Sequence, residues 1–406
     1  MNVAVRSLKV LTIDQVCLLF VGTEAFVRVF QLSVDDESDA SERAMSTACV
    51  GKDHELVCFE ALRHATPGET GRAVRGFGFD TVNDEHLLSV FGHRALAVFR
   101  VSVRRDDNTI DDRLEVDDVV CRRVPLRSRR PTHDDDAATH AVTTLSIVRR
   151  LRGAHVGPHW LYAAQVRSLN ALLASTTLEP LRSVVGARRR ADEQCVVLAC
   201  SANDNALLVF DLADGTLLGR VRCTHRCMPM SAALAPASSQ SSTTVVVASG
   251  TAFGDVLVWC GASGAVLRVL RGHAGAVRHC AWRCDAAALV SSSDDRSARV
   301  WRCVSSQQCA TTSTSTTTTT STGGDVVLFG HEGRVYSSAF VGLDHVATAS
   351  EDGTVRCWRL DATSTSSRAL MRGGGSVWTI DCDATTLCAG AADGTARVWR
   401  QVSAAK

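Results

Sequence analysis

Short runs of apolar residues, each bounded by glycine, aspartate or serine, recur along the whole chain. A run spans about four to eight residues, which is typical of a β-strand and too short for a helix. Seven of the runs end on or near an aromatic residue: Phe30, Phe99, Phe210, Trp259, Trp301, Trp358 and Trp399. Where no insertion intervenes, these aromatic residues recur at intervals of 49, 42 and 41 residues. That period matches one four-stranded blade, so the pattern predicts an all-β fold, a seven-bladed β-propeller.

Three segments interrupt the strand pattern of this single predicted domain, which spans residues 1–406. Charged residues dominate 104–140, three consecutive arginines lie in 174–193, and serine and threonine fill much of 305–324. Segments of such composition bury too little apolar surface to fold by themselves. We therefore expect long, disordered loop insertions at these three places.

The last blade needs an outer strand, and only six residues follow Arg400. An unpaired edge strand invites aggregation, and pairing with a strand from the other terminus closes a ring. Val3 and Val5 alternate along the chain as residues of such a strand would. We predict that they pair with residues 395–400.

Composition sets limits on the class of protein. The 406 residues are 45% hydrophobic, enough for a large core, and the net charge of +1 favours neither a nucleic-acid binder nor an acidic solvating protein. The sixteen cysteines are scattered, many of them within apolar runs, as expected of reduced and buried thiols. Asp14 and Gln15 interrupt the only apolar N-terminal stretch, so we expect no signal peptide, no membrane span and a cytoplasmic location.

Polar residues in the C-terminal part follow a spacing that predicts buried hydrogen-bond relays. A Gly-His pair lies about half a blade length before an aspartate, and a tryptophan follows that aspartate six residues later. We expect the histidine to bind the aspartate, and a serine of the second strand to link it to the indole N–H. The predicted members are His273, Ser293, Asp295 and Trp301 in blade five, His331, Ser350, Asp352 and Trp358 in blade six, and Asp393 and Trp399 in blade seven, which lacks the Gly-His pair.

Two other interpretations compete with a structural role for these residues. A histidine near an aspartate and a serine is also the composition of a hydrolytic triad. However, two such sets one blade apart favour structure, because an active site is not usually duplicated around a ring. Cys223, His225 and Cys227 form a short C-x-H-x-C cluster, but no second ligand pair follows at the spacing of zinc sites. We expect no catalytic residue, no metal site and no bound cofactor.

The C-terminal half resembles WD40 repeats, and several stretches support a narrower resemblance. The most specific is the turn Ser249-Gly250-Thr251-Ala252-Phe253-Gly254. The others are Leu270-Arg271-Gly272-His273, Phe329-Gly330-His331, Ser376-Val377-Trp378, Arg75-Gly76-Phe77 and Val90-Phe91-Gly92. In this order they are similar to the first propeller of the WD-repeat regulatory subunits that partner the tRNA wobble-position 2′-O-ribose methyltransferase.

That resemblance implies a subunit without chemistry of its own. In the family, the WD subunit binds a Rossmann-type, S-adenosylmethionine-dependent methyltransferase and helps to present the anticodon stem-loop. The cofactor would then lie on the partner, and contact with tRNA would be direct or made through the partner. Family members are typically longer, with further propellers after the first, whereas this chain ends at Lys406.

The loops at the aspartate-turn end of a propeller form its usual binding face. Residues just before the turn aspartate, and residues that open the innermost strands, should project there: Arg278, Asp294, Arg334, Tyr336, Glu351 and Trp378. Arginine can pair with phosphate or with a carboxylate, and tyrosine or tryptophan can anchor a protein partner. Tyr336 and Trp378 fit equally well as side chains that pack across the top of the channel, and this alternative stays open.

The sequence thus favours a non-catalytic WD40 scaffold, the regulatory subunit of a tRNA 2′-O-ribose methyltransferase that acts at the wobble position. The alternative is a generic WD40 protein-interaction scaffold, for trafficking or ubiquitin ligation, without a role in RNA. The turn at 249–254 favours the first function, and the near-neutral net charge favours the second.

Overall fold

The structure is a computed structural model that describes the strands and most of the turns between them. The described residues are 4–13, 16–23, 27–32, 46–49, 57–59, 74–106, 124–126, 142–169, 172, 195–236, 245–302, 319–322, 326–360, 365–371, 375–383 and 386–400. All of the predicted insertion at 174–193, and most of the other two, lie outside these residues.

Seven blades follow one another around a central channel, which confirms the predicted seven-bladed β-propeller. Blades one to three are built from β1 Ser7–Ile13, β2 Val16–Gly22, β3 Val27–Leu32, β4 Ser46–Cys49, β5 Val57–Phe59, β6 Val74–Val82, β7 Glu85–Asp106, β8 Val124–Leu126, β9 Val142–Ser168, β10 Cys195–Ser201, β11 Ala206–Asp211 and β12 Leu217–Arg222. β4 lies in the sequence of blade one but pairs elsewhere.

The remaining blades are more regular. Blades four to seven are built from β13 Pro229–Leu234, β14 Val246–Thr251, β15 Val256–Cys260, β16 Val266–Arg271, β17 Val277–Trp282, β18 Ala288–Ser293, β19 Ser297–Arg302, β20 Thr319–Thr322, β21 Val326–Phe329, β22 Val335–Val341, β23 His345–Ser350, β24 Val355–Leu360, β25 Thr365–Met371, β26 Val377–Cys382, β27 Thr386–Ala391 and β28 Ala396–Arg400. The innermost strands are β1, β6, the end of β9, β13, β17, β22 and β26, and each contacts the next around the channel.

Two long strands join blades two and three into one sheet. The first part of β7 pairs with β6, and its second part, from His93 onward, pairs with β9. The early residues of β9 thus form the outer strand of blade two. Its last residues pair with β10 and form the innermost strand of blade three.

Blade seven is completed by β4, which pairs antiparallel with β28 from Ser46 and Arg400 to Cys49 and Arg397. The prediction that Val3 and Val5 supply this strand is wrong. Val5 instead donates its N–H to the Ala391 carbonyl at 3.3 Å, and its side chain is buried between blades one and seven. It belongs to the inner edge of blade one, whereas Val3 lies outside the described residues. The ring is still closed by a segment from the N-terminal side of the chain.

Short strands occupy parts of two segments predicted as loops. β8 lies within 104–140 and pairs with β9. β20 lies within 305–324 and pairs in parallel with β16, so that blade four gains a fifth strand. A serine- and threonine-rich segment has little apolar surface, but an open strand edge offers it backbone hydrogen bonds.

The hydrophobic core lies in layers between neighbouring blades. Each of the seven periodic aromatic residues is on the third strand of its blade, and Trp259, Trp301 and Trp358 are among the largest fully buried side chains. Trp301 of blade five, for example, packs on Val256 and Val258 of blade four. Burial of such a side chain stabilises the fold by about 2–3 kcal/mol.

Side chains also bind backbone groups across every seam between the innermost strands. The donor and acceptor residues are Ser7 and Val74, Val166 and Asp80, Arg167 and Ala235, Ser231 and Val277, Ser338 and His279, Ile380 and Ser337, and Val10 and Asp381. Because these bonds fix the height of each strand against the next, they set the residues at the channel mouth at one level.

Candidate binding site at the channel mouth

In blade five, buried polar side chains form a continuous hydrogen-bonded relay. Nδ1 of His273 is 2.8 Å from Oδ2 of Asp295, and Nε2 is 2.8 Å from Oγ of Ser291. The indole N–H of Trp301 donates to the same Ser291 oxygen at 2.8 Å. Burial alone would raise the pKa of Asp295, but hydrogen bonds from His273 and Ser297 hold it well below its usual value. The ionised carboxylate thus ties the histidine loop to the turn.

Blade six repeats this arrangement with a threonine in place of the serine. Nδ1 of His331 is 2.9 Å from Oδ2 of Asp352, and Nε2 is 2.7 Å from Oγ1 of Thr348. The indole N–H of Trp358 donates to Thr348 Oγ1 at 2.8 Å. The histidine side chains of both relays are almost completely buried, so neither relay offers an accessible nucleophile or base.

The hydroxyl in each relay lies two residues before the predicted one, so the predictions of Ser293 and Ser350 are wrong. Residues two apart share a face of a strand, and the pattern alone cannot separate them. The strand register can: Trp301 is opposite Leu289, so Ser291 is its diagonal neighbour and Ser293 is one pair further away. Ser293 and Ser350 instead accept the N–H groups of Asp295 and Asp352 and so close the turns.

Blade four has a relay that the spacing did not predict. The indole N–H of Trp259 donates to Ser249 Oγ at 3.0 Å, and Ser249 donates to Oδ1 of Asn205 at 2.7 Å. The Asn205 amide, from blade three, in turn donates to Sγ of Cys227 at 3.3 Å. An amide thus replaces the histidine, and His225 is left exposed beside this site.

Blade seven holds the predicted residues Asp393 and Trp399, but no hydroxyl of the described residues links the two. The position ten residues before the tryptophan, which is a serine or threonine in blades four to six, is Ala389. Asp393 accepts bonds from the backbone N–H and the hydroxyl of Thr395 within its own turn. Trp399 is buried in the core between blades six and seven.

In blades two to seven, a β-bulge at the start of the innermost strand re-aims one side chain toward the same end of the channel. In β17, Val277 pairs with Ser293 and His279 with Ser292, which leaves Arg278 unpaired between them. The bulged residues are Arg75, Tyr162, Met230, Arg278, Tyr336 and Trp378. Arg6 takes the equivalent place in blade one, because Ser7 after it makes the same bond to the next blade as Ser231 after Met230. We call these seven residues the rim.

The rim surrounds the mouth of a channel of about 1640 Å³, and all seven residues line it. Arg278, Tyr336 and Trp378 were predicted to project here, and the structure adds Arg6, Arg75, Tyr162 and Met230. A signal for these four exists in the sequence. In every blade the rim residue directly follows a buried one: Val5, Val74, Leu161, Pro229, Val277, Val335 and Val377.

On the side of the mouth formed by blades seven, one, two and three, two rim arginines stack on tryptophans. Cζ of Arg6 is 4.3 Å from the centroid of the Trp378 ring, and Cζ of Arg75 is 4.2 Å from that of Trp160. Burial lowers the pKa of Arg75, and the positive charge of Arg6 lowers it further. Stacking orients a guanidinium plane and leaves its N–H edge able to bind an acceptor.

On the opposite side, carboxylates from blades five and six pair with the arginines. Nε and Nη2 of Arg278 donate to the two carboxylate oxygens of Asp294 at 2.8 and 2.6 Å, and this bond is the main cause of the raised pKa of Arg278. Nε of Arg334 is 3.8 Å from Oε2 of Glu351. Burial, and then the Glu351 charge, raise the pKa of Tyr336. The predicted binding residues on this side are thus engaged with one another.

Three exposed apolar side chains stand beside the mouth on blades three and four: Phe253, 82% exposed, Met228, 63% exposed, and Trp160, 38% exposed. Met228 and the turn that bears Phe253 are adjacent, because the Met228 carbonyl accepts the N–H of Ala252 at 3.0 Å. Large aromatic and methionine side chains in such positions are typical anchors for a protein partner.

The turn at Phe253 differs from those of blades five and six in a way that explains its exposure. Phe253 occupies the place of the relay aspartate, six residues before the tryptophan. The Thr251 hydroxyl closes the turn by accepting the N–H groups of Phe253 and Asp255. Gly254 has a φ of 90°, and a Cβ there would lie 2.3 Å from the His273 carbonyl oxygen. The glycine therefore serves packing, and the phenylalanine points into solvent.

Comparisons with known proteins agree with this architecture. Residues 264–302, 325–359 and 367–400 match the family model described as WD domain, G-beta repeat. Each match begins at the outer strand of one blade and ends at the third strand of the next. No curated protein matches the chain significantly.

Among solved structures, the WD40 β-propeller domain of Doa1 matches with a TM-score of 0.52 at 16% identity, over 99% of this chain and 94% of that one. The computationally designed Ika8 protein matches with a TM-score of 0.49 at 16% identity, over 98% and 97% of the two chains. Among the described residues, no helix is long and apolar enough to cross a membrane. WD40 propellers generally bind protein partners, and this chain is a seven-bladed β-propeller whose last three blades match the model of that repeat.

Proposed function

We propose that this protein is a non-catalytic scaffold that binds a protein partner at the channel mouth. The observation behind the proposal is the rim, where six bulged residues and Arg6 place three arginines, two tyrosines, a tryptophan and a methionine around the channel mouth. Arginine and aromatic residues contribute most to binding at protein interfaces. Exposed Phe253 and Met228 extend the same surface over blade four.

The two sets of residues that resemble a catalytic triad are consistent with a scaffold that catalyses no reaction. A hydrolytic nucleophile must reach its substrate, whereas His273 and His331 are buried and hold both ring nitrogens in hydrogen bonds. Against the effect of burial, hydrogen bonds from His273 and Ser297 lower the pKa of Asp295, and bonds from Thr354, the Glu332 N–H and His331 lower that of Asp352. Both carboxylates thus suit permanent hydrogen-bond acceptors rather than groups that transfer protons.

We further propose that the partner is a Rossmann-type, S-adenosylmethionine-dependent tRNA methyltransferase that modifies the ribose at the wobble position. The support is the resemblance in the turn that contains Phe253 and Gly254. Packing against blade five accounts for Gly254, but nothing within the described chain covers Phe253, so a partner contact would explain it. The scaffold would hold the enzyme and its tRNA so that the 2′-oxygen is in line with the methyl group.

Affinity purification of the tagged protein from its own cells, with mass spectrometry, tests both whether the protein binds a partner and whether that partner is the methyltransferase. Recovery of a Rossmann-type ribose methyltransferase, together with loss of wobble 2′-O-methylation in a knockout, is the expected result. A Phe253→Ala variant should recover less of it, whereas Arg283→Gln, at the opposite end of the channel, serves as the matched control. Stable partners of other kinds, with unchanged tRNA methylation, would instead support the generic interaction scaffold.

A further inference from the structure

Six of the seven seams between blades are crossed by the chain where it passes from one blade to the next in order. The seam between blades seven and one is different, because its two innermost strands, β1 and β26, come from opposite ends of the sequence. At its outer side the four-residue strand β4 pairs with β28. Along the channel, contacts between side chains and backbone groups must hold β1 against β26.

An ion pair joins β1 and β26 across this seam. Nζ of Lys9 is 3.1 Å from Oδ1 of Asp381, and Oδ2 of the same carboxylate accepts the Val10 N–H at 2.8 Å. The two charged side chains are only 23% and 20% exposed. At each of the other six seams a side chain binds a backbone group, whereas here two opposite charges also bind each other, and such a bond is stronger.

Further bonds attach β1 to blade seven on both sides of the ion pair. Towards the mouth, the Val5 N–H donates to the Ala391 carbonyl at 3.3 Å. Towards the opposite end, Oγ1 of Thr12 donates to Oδ2 of Asp383 at 2.7 Å. Lys9 lies between these two bonds, so the ion pair is at the middle of the seam and fixes the height of β1 against β26.

One arginine–tryptophan stack of the rim spans the same seam. Arg6 of blade one lies over the ring of Trp378 of blade seven, at 4.3 Å. Arg6 precedes Lys9 by three residues, and Trp378 precedes Asp381 by three residues. A shift of β1 along β26 would therefore separate the stacked side chains. The ion pair thus holds two residues of the candidate binding site in place.

A lysine at position 9 fits this geometry. The chain has 44 lysine and arginine residues, of which only Lys9, Lys52 and Lys406 are lysines. Arginine binds a carboxylate through two parallel N–H groups and so uses both oxygens. Here the Val10 N–H already occupies one oxygen of Asp381. The compact ammonium group needs only the other oxygen, so an arginine would fit less well.

We propose that the Lys9–Asp381 ion pair is a latch that keeps the ring closed, and that the propeller opens first at the seam between blades seven and one when the latch is removed. Loss of one partner of an ion pair shielded from water is costly, because the remaining charge is left uncompensated. The other seams retain their chain connection, so we expect them to stay closed. The latch is a property of the free ring and does not depend on which partner binds at the mouth.

Hydrogen exchange of the full-length protein, followed by mass spectrometry, tests the latch. In Lys9→Met, which keeps the apolar part of the side chain but not its charge, the amides of β1 and β26 should exchange at least about tenfold faster than in the native protein. The amides of β18 and β19 in blade five should exchange within about twofold of the native rates. This contrast distinguishes local opening of one seam from loss of stability throughout the ring.

Arg100→Met is the matched control. Nη1 of Arg100 is also 3.1 Å from its carboxylate partner, Oε1 of Glu85, but both residues belong to blade two. Removal of this pair should leave exchange in β1 and β26 within about twofold of the native rates. Acceleration of these two strands in the control as large as in Lys9→Met would overturn the inference.

A second variant keeps the outcome decisive even if Lys9→Met were to unfold. Lys9→Met/Asp381→Asn removes both charges, and the asparagine oxygen can still accept the Val10 N–H. Because no uncompensated charge remains, this variant should fold, yet β1 and β26 should still exchange about three- to tenfold faster than in the native protein. Unchanged exchange at the seam in both variants, or equal acceleration in all blades, would overturn the inference.

The latch and the proposed function fail independently of each other. If the seam exchanges at native rates in the variants but a methyltransferase co-purifies, the proposed function stands and the latch is wrong. If the seam opens in Lys9→Met but no methyltransferase co-purifies, the latch stands and the specific partner is wrong.

Discussion

Blades five and six line the same channel as blades one to three, but their polar side chains have different partners. In blades five and six, Arg278 and Arg334 each lie beside a carboxylate, and each buried tryptophan donates to a hydroxyl that also binds a histidine. In blades one and two the rim arginines stack on tryptophans from neighbouring positions, and among the described residues no carboxylate is a cause of the shifted pKa of Arg75. The matched repeats lie in blades five, six and seven, and none of them lies in blades one to three.

This difference separates residues that hold the ring together from residues available to a partner. A polar group that is fully paired within the chain gains little from a ligand, since binding must first break an existing bond. A charge that lacks an internal partner gains more. We therefore infer that blades five and six contribute mainly to stability, and that the less regular blades contribute more of the proposed binding surface.

Removal of a relay tryptophan should have the largest effect on stability. Trp301→Ala should lower the free energy of unfolding by about 3–5 kcal/mol, because it leaves a cavity between blades four and five and unpairs Ser291. Urea unfolding followed by circular dichroism measures this loss. A change below about 1 kcal/mol would contradict the structural role given to blade five.

The position of the relay hydroxyl should have the next largest effect. Ser291→Ala leaves both Nε2 of His273 and the Trp301 indole without their shared partner, and should cost about 2–3 kcal/mol. Ser293→Ala is the matched control from the same strand and should cost about 1 kcal/mol, since it affects only the turn. Equal losses, or a larger loss for Ser293→Ala, would support Ser293 as the relay hydroxyl instead of Ser291.

Acidification should act in opposite directions on the two regions. Burial raises the pKa of Asp80 in blade two to about 6, so the fold gains stability as pH falls through 6 toward the usual value near 4. Burial lowers the pKa of His279 in blade five to about 4, so the fold loses stability as pH falls from about 6.5 toward 4.

Two conservative variants separate these contributions. Asp80→Asn, whose amide oxygen can still accept the Val166 N–H, should raise stability by about 1–2 kcal/mol at pH 7.5, and this gain should vanish near pH 4. His279→Asn should flatten the fall in stability between pH 6.5 and 4. Denaturant unfolding at several pH values measures both, and the same pH profile for both variants would contradict the assignment.

Truncation of the exposed phenylalanine should have the smallest effect on the fold. Phe253→Ala should change the free energy of unfolding by less than about 0.5 kcal/mol, because the side chain is 82% exposed. Partner binding, measured by titration with the co-purified protein, should weaken by about five- to tenfold. A marked loss of stability with intact binding would assign Phe253 to packing instead.

The sequence predicts the regular part of the molecule well because that part follows a period. Each tryptophan and its turn aspartate recur at fixed spacing, so blades five to seven can be recognised without a structure. The relay hydroxyls were misplaced because Ser291 and Ser293 share a face, and only the strand register distinguishes them. The closing strand β4 was missed because it lies in a polar stretch without a strand pattern.

The candidate site was only half predicted for a related reason. Arg278, Tyr336 and Trp378 were found because they open strands in recognisable repeats. Arg6 and Arg75 lie in blades without those repeats. The stack of Arg6 on Trp378 depends on ring closure, which brings blade seven beside blade one. Charge compensation is equally invisible in the sequence, since it depends on which loops meet at the mouth.

Quantitative affinity purification of the native protein and three arginine variants tests the contrast between the two regions most directly. The variants are Arg75→Gln, Arg278→Gln and, as the control at the opposite end of the channel, Arg283→Gln. We expect Arg75→Gln to lose most of the recovered partner, Arg278→Gln to lose less, and the control to recover as much as the native protein. Equal recovery with Arg75→Gln, or a greater loss with Arg278→Gln, would contradict the inference that the less regular blades contribute more of the proposed binding surface.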